Sequence, residues 1–142
     1  MKRLSSVLVP VLACVGLAFS GVAKAQPPAN IAGTTWTVQI NRDVATLTID
    51  TQGGPGAPGA AICRTIRGSF GVAPVRGLYC PATGRIHLLH NNLGSNDTVR
   101  AFTGNVSEQA PDEPLFMAGT VMIEISAFGN LGEYNFSAVQ AL

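Results

Sequence analysis

The chain is poor in charged residues and almost empty of lysine. Asp, Glu, Lys and Arg make up 12% of its 142 residues, and both lysines, Lys2 and Lys24, lie near the start. Beyond residue 25, six arginines stand against eight acidic residues, a net charge of 6 − 8 = −2. A chain of this charge has no electrostatic footprint for nucleic acid and no basic patch for anionic lipid, so we expect neither as a partner.

Motifs typical of catalysis and metal binding are also missing. The sequence has no G-x-S-x-G, no C-x-x-C and no His-rich metal motif, and no pair of carboxylates flanks an obvious site. His87 and His90 are spaced i, i+3, which sends them to opposite faces of a strand and suits them poorly for one metal. We expect both to be exposed or at an interface. The sequence therefore predicts a protein that is not an enzyme and that has no metal or cofactor.

The long apolar run of the chain lies at its start. "MKR" is followed by "LSSVLVPVLACVGLAFSGV" and then by "AKA", which ends in small residues before Gln26. This order is typical of a cleaved signal peptide, and it predicts a leader over residues 1–25 and one secreted or periplasmic domain over 26–142, with no membrane contact after cleavage. The alternative is a lipoprotein acylated at Cys14, which fits less well because apolar sequence continues beyond that cysteine.

Two cysteines follow the leader, Cys63 and Cys80. An even pair in an exported protein most often forms a disulfide, and we predict one here. A metal pair or a redox-active thiol would be the alternatives, but the spacing of the cysteines and of the histidines favours neither.

Eight runs rich in Val, Ile, Thr and aromatic residues are separated by Gly- and Pro-containing breaks, a pattern typical of all-β folds. The runs are "TWTVQI", "VATLTID", "AICRTIRGSF", "VRGLYC", "GRIHLLHN", "TVRAFTGNV", "FMAGTVMIEI" and "EYNFSAVQ". Most breaks are short enough for hairpins, so the sequence predicts an eight-stranded antiparallel up-and-down barrel, whose closure removes exposed strand edges. The predicted disulfide would join adjacent strands and contribute about 3 kcal/mol in the loop-entropy model.

Four segments carry a resemblance to a known family. They are "IAGTTWTVQI" with a Gly-x-Trp-like opening strand, "IRGSFGV" as the third strand, "HNNLGSNDTVRAFTGN" with an Asn pair before a strand, and "GEYNFSAV" near the end. In this order they resemble the avidin and streptavidin family of biotin-binding barrels. The resemblance spans nearly the whole chain beyond residue 25 and implies an avidin-like barrel with Trp36 at its floor.

The resemblance also implies a ligand site inside the barrel. Its residues would be Trp36, Val38, Phe70, Val72, Thr98, Arg100, Phe102 and Tyr134. Most of the family's polar contacts to biotin are replaced here, an Asn by Val38, a Tyr by Phe70, a Ser by Val72 and an Asp by Tyr134. Thr98 keeps the expected hydroxyl, while Arg100 replaces a Thr and Phe102 the pocket Trp. Because each lost hydrogen bond is worth roughly 0.5–3 kcal/mol, very tight biotin binding is not implied.

Arg100 has two interpretations at this stage. Its head could reach water at the barrel mouth or pair with Asp97, Glu124 or Glu133. It could instead face an apolar pocket and receive a carboxylate or similar anion from a ligand. The aromatic residues also have two interpretations. They would either fill the barrel interior or form an apolar cup for a ligand.

These observations favour an exported, non-enzymatic avidin-like barrel that binds a small apolar or amphipathic ligand in its mouth. A first alternative is a biotin-binding protein with a modified, weaker site. A second is a protein-binding module, such as an inhibitor of a secreted enzyme, acting through the loops "TQGGPGAPGA" or "SEQAPDEP". We also expect a homo-oligomer, a dimer or tetramer, because Val99 and Ala101 would face outward and "VMIEI" is apolar.

Overall fold

The computed structural model describes residues 26–54, 63–92, 94, 98–107, 113–127 and 129–142. It forms eight strands: β1 (Thr34–Ile40), β2 (Asp43–Gln52), β3 (Arg64–Phe70), β4 (Ala73–Cys80), β5 (Arg85–Asn91), β6 (Val99–Ser107), β7 (Phe116–Ile125) and β8 (Gly132–Gln140). Within these ranges no helix is long and apolar enough to cross a membrane.

The strands form a closed barrel in which each strand pairs antiparallel with the next along the chain. β1 and β8 close it, with Trp36 opposite Gln140 and Ile40 opposite Phe136. Burial alternates along β1, where Trp36, Val38 and Ile40 are buried and the residues between them are exposed. This period of two is what a strand with one face toward a core requires. The predicted all-β, eight-stranded antiparallel barrel is confirmed.

Side chains fill most of the barrel interior. The rings of Phe70, Phe102 and Phe136 form a continuous series, with centroids 5.4 Å apart at each step. Such tilted and edge-on contacts stabilise aromatic clusters beyond the burial of their area. Trp36 and Tyr79 are fully buried further along the barrel. Side chains therefore form a packed core from the Phe70 ring to the end of the barrel where β1 begins.

The residues before β1 close one end of the barrel, which we call the floor. Ile31 is fully buried there, and its backbone N–H donates to Oε1 of Gln52 over 3.0 Å. The Tyr79 hydroxyl donates to the Pro28 carbonyl over 2.7 Å, and burial raises the pKa of Tyr79 to about 12. The Trp36 indole N–H donates to the Thr34 hydroxyl over 2.8 Å. These bonds hold the segment against the core and satisfy its buried polar groups.

Glycines on the inner face allow neighbouring strands to approach closely. A Cβ atom on Gly77 would lie 1.9 Å from the carbonyl oxygen of His87, in the neighbouring strand β5. A Cβ atom on Gly119 would lie 2.0 Å from the Thr103 carbonyl oxygen. Only glycine fits such positions, which are typical of tight bends at barrel corners.

A disulfide joins Cys63, just before β3, to Cys80 at the end of β4, across 17 positions of sequence. The predicted pairing is confirmed, and a disulfide is compatible with an extracellular or periplasmic location. β2 ends and β3 begins at the floor. Residues 55–62 lie outside the described residues, and they include most of the predicted binding loop "TQGGPGAPGA", residues 51–60. Residues 108–112, in the second predicted loop "SEQAPDEP", lie outside them as well.

The burial of one residue on β6 departs from a simple alternation. Val99, which the sequence predicts on the outer face, is 9% exposed, although Thr98 and Arg100 on either side of it line the mouth described below. The pairing of β6 with β7 shifts at this point, since Val99 lies opposite Ile125 and Arg100 opposite Ile123. Glu124 is thus an extra residue on β7, and a bulge of this kind re-aims the side chains beside it.

Candidate functional site

The end of the barrel opposite the floor is open, and we call it the mouth. Residues 41–42 and 71–72 border it, together with Asn92, Thr98 and Asn130 from the connections that follow β5 and β7. Two cavities open there, of about 260 and 280 Å³. Both are lined by Ala45, Phe70 and Arg100, so they are two lobes that meet at these side chains.

The first lobe lies between β1, β2, β7 and β8. Its walls are Ile40, Asn41, Asp43, Ala45, Phe70, Arg100, Ile123, Asn130 and Tyr134. The second lobe lies toward β3–β6 and is lined by Ala45, Phe70, Gly71, Val72, Ala73, His90, Asn92, Thr98 and Arg100. The first lobe combines apolar walls with the polar side chains of Asn41, Asp43 and Asn130. The two buried polar residues, His90 and Thr98, line the second lobe.

Strand register brings Arg100 and His90 together. They are direct partners across β5 and β6, with Val75 of β4 on the other side of His90. Phe70 contacts both groups from β3. The Arg100 guanidinium carbon lies 5.5 Å from the centroid of the Phe70 ring, and the His90 ring lies edge-on at 5.4 Å. The first of these distances is within the range of a cation–π contact.

Two polar atoms in this group have no hydrogen-bond partner in the part of the chain that the structure describes. They are Nδ1 of His90 and Nε of Arg100, and both atoms are buried. His90 as a whole is only 2% exposed. Leaving a buried donor or acceptor unpaired costs about 1–3 kcal/mol, so native structures rarely contain such groups without a reason.

Burial also sets the protonation of the pair. The pKa of His90 is lowered from its usual range, first by burial and second by the positive charge of Arg100. Burial lowers the pKa of Arg100 too, and the Asp43 carboxylate offsets part of that effect. Because a guanidinium stays protonated in proteins, the mouth presents a fixed positive charge beside a histidine that favours its neutral form.

The predicted site residues divide into two groups. Phe70, Val72, Thr98, Arg100 and Tyr134 line the mouth. Val72 does so from the β3–β4 turn, where it is 97% exposed, so it borders the second lobe and does not enter the barrel. Trp36, Val38 and Phe102 are buried within the packed core and line neither lobe.

His90 is the principal residue that sequence reasoning misplaced. It was expected to be exposed or at an interface, which is wrong, since it is buried inside the mouth. His87 does lie on the outer face, where its Nδ1 is 3.2 Å from the Thr103 hydroxyl. The alternation of Ile86, Leu88 and His90 along β5 was the signal that could have placed His90 inside.

A larger trough of about 540 Å³ lies on the outer face of the barrel, bordered by Asp50, Arg67, Arg76 and Leu89. The buried unpaired side-chain atoms of the described residues belong to the mouth and not to this trough. Nor do the described residues contain a group of three His, Cys, Asp or Glu side chains that could hold a metal ion. The mouth is accordingly the candidate site.

No protein-family model, no curated protein and no solved structure matches the chain. The resemblance to the avidin family therefore stays a prediction that depends on the four sequence segments alone.

Proposed function

We propose that the protein is an exported, non-enzymatic binding protein that takes a small apolar or amphipathic ligand in the barrel mouth. The observation that carries the proposal is an open, two-lobed cavity with Phe70 at its base, above a barrel that is otherwise packed with side chains. A concave, mostly apolar pocket with a few converging polar groups is the usual form of a small-molecule site.

The surroundings of the mouth support an apolar or amphipathic ligand. Ile40, Ile123 and Phe70 supply apolar walls, and large hydrophobic side chains are exposed around the rim. The rim residues are Val44, Val72, Ile125 and Leu131. A ligand that extends out of the cavity would cover part of this rim, and each Å² of apolar surface removed from water contributes about 25 cal/mol.

The size of the cavity limits the ligand. Each lobe is slightly below the range of roughly 300–1,000 Å³ that is usual for pockets of drug-sized molecules. Biotin is less well supported, because Val38 and Phe102 occupy the depth of the barrel where the family's polar contacts would be. A tight complex with biotin would need a different set of hydrogen bonds, made by residues of the mouth.

The test is titration of the purified chain with the apolar probe N-phenyl-1-naphthylamine, followed by fluorescence. We expect saturable binding by the wild type and loss of binding in Ala45→Trp, because Ala45 lines both lobes. Thr46→Trp is the matched control, since Thr46 is the next residue of β2 and is exposed. Equal binding by both variants would place the ligand elsewhere, and absence of binding by the wild type would overturn the proposal.

Calorimetric titration with biotin accompanies this experiment. Saturable biotin binding at micromolar concentration or better would favour the modified biotin site over the proposed one. Mass spectrometry of the protein as purified identifies any small molecule that it retains from its host.

A further inference from the structure

The polar groups of the mouth also indicate the chemical class of the ligand. Building on the proposed function, we infer that the mouth selects an organic anion, which accepts hydrogen bonds from the Arg100 guanidinium and the His90 imidazole while its apolar body lies on Phe70. Carboxylates and sulfonates belong to this class.

The first argument comes from the donors. Nε of Arg100 carries a hydrogen that it cannot lose and has no lone pair with which to accept a bond, so only an acceptor can satisfy it. Nδ1 of His90 lies on the neighbouring strand in direct register, and it too is buried and unpaired. One anion with two oxygen atoms could accept a bond from each group, provided that the His90 hydrogen is on Nδ1.

The second argument concerns the alternative partners of Arg100. Glu124 and Glu133, which the sequence offered for an ion pair, have exposed positions on β7 and β8. Asp97 lies outside the described residues. Asp43 lines only the first lobe and acts on Arg100 through its charge, while Nε stays without a hydrogen-bond partner.

The third argument is the position of Phe70. Its ring lies under the guanidinium and beside the imidazole, and it is the base of both lobes. A flat or aliphatic group attached to the anion would contact this ring. The charged Arg100 side chain and the apolar Phe70 ring are therefore close enough to contact the same small molecule.

The test compares two probes that share the naphthylmethyl group, the anionic 1-naphthylacetate and the neutral 1-naphthylacetamide, in calorimetric titrations of the wild type. We expect the acid to bind at least about tenfold more tightly than the amide, since hydrogen bonds to a charged group are among the stronger ones. Arg100→Gln should remove this preference by lowering the affinity for the acid to about that for the amide. Arg76→Gln, on the exposed face of β4, is the control that should keep the preference.

The outcomes separate this inference from the proposed function. If the wild type binds acid and amide equally, the ligand is not selected as an anion, although a mouth site for apolar ligands stands. If it binds neither of these probes nor N-phenyl-1-naphthylamine, both ideas are wrong. If Arg100→Gln keeps the wild-type preference for the acid, the anion is held elsewhere and the role of Arg100 is refuted.

His90 has its own variant in the same experiment. His90→Phe preserves a ring against Phe70 and removes both ring nitrogens, so we expect a several-fold loss of affinity for the acid relative to the amide. An unchanged affinity for the acid would exclude His90 from the anion site and leave Arg100 as its single anchor.

Discussion

His90 and Arg100 are residues whose placement weakens the ligand-free fold. A half-buried guanidinium and a buried imidazole occupy paired inward positions of β6 and β5, and each has one buried polar atom without a partner in the described residues. Filling the same positions with apolar side chains would remove that cost. Strain of this kind is typical of binding sites, where a ligand supplies the missing partners.

The buried histidine predicts how stability depends on pH. The pKa of His90 is lower in the folded chain than its value of about 6.5 in an unfolded one. Below that pH the unfolded state takes up a proton that the folded state does not, so the free energy of unfolding falls until the lower folded pKa is reached. Above it the imidazole is neutral in both states and contributes no pH dependence.

His90→Leu isolates this contribution. We expect the wild type to lose more free energy of unfolding than the variant between about pH 7.5 and pH 5.5, measured by urea denaturation. The charged groups that act on His90 and its neighbour are Arg100 on β6 and Asp43 on β2, while Val75 and Phe70 face it from β4 and β3. Asp97 lies outside the described residues. Parallel pH profiles of the two proteins would contradict the prediction.

At the scale of the strands, the barrel depends on glycines that admit a neighbouring backbone. Gly77 lies opposite Leu88 across β4 and β5, and its Cα faces the His87 carbonyl. A methyl group there would meet backbone atoms that belong to the hydrogen-bonded ladder and cannot rotate away. The two strands would have to separate.

Gly77→Ala should therefore destabilise the protein by about 3 kcal/mol, toward the upper end of the usual cost of overpacking. The matched control is Gly54→Ala, because a Cβ atom on Gly54 meets nothing within 4 Å and its backbone conformation suits other residues. We expect the control to lie within about 0.5 kcal/mol of the wild type in urea denaturation. Similar urea midpoints for the two variants would mean that the close approach at Gly77 does not limit the residue type there. If Gly77→Ala yields no folded protein, a Gly77→Ser variant should be equally affected.

The strands themselves could be predicted because their signal is local. Alternation of apolar and polar residues between Gly- and Pro-containing breaks located all eight, and the short breaks indicated their antiparallel order. The bulge beside Val99 could not be predicted, since it depends on how β6 meets β7 across the closed sheet. The inward orientation of Trp36, Val38 and Phe102 could be predicted from the alternation. How far side chains fill the barrel interior around them could not.

At the scale of the whole molecule, the two ends of the barrel differ in the interactions that they contain. The floor holds the segment before β1, the disulfide and the Tyr79–Pro28 hydrogen bond, whereas the mouth holds the unpaired polar groups. Residues that stabilise the fold are thus separated from residues proposed to bind the ligand. Export and homo-oligomerisation stay predictions from the sequence, because the fold of a single chain carries no direct trace of either.

This separation leads to the last prediction, which concerns the disulfide. In the loop-entropy model, the Cys63–Cys80 bridge acts on the unfolded chain by closing a loop over 17 positions. Its removal in a Cys63→Ser/Cys80→Ser double variant should lower the free energy of unfolding by about 3 kcal/mol and increase the dependence on urea, because the unfolded state expands. Binding of N-phenyl-1-naphthylamine under native conditions should be unchanged, since the bridge is at the far end from the mouth. A loss of probe binding by a folded variant would mean that the floor and the mouth are coupled, and the division of tasks between the two ends would be wrong.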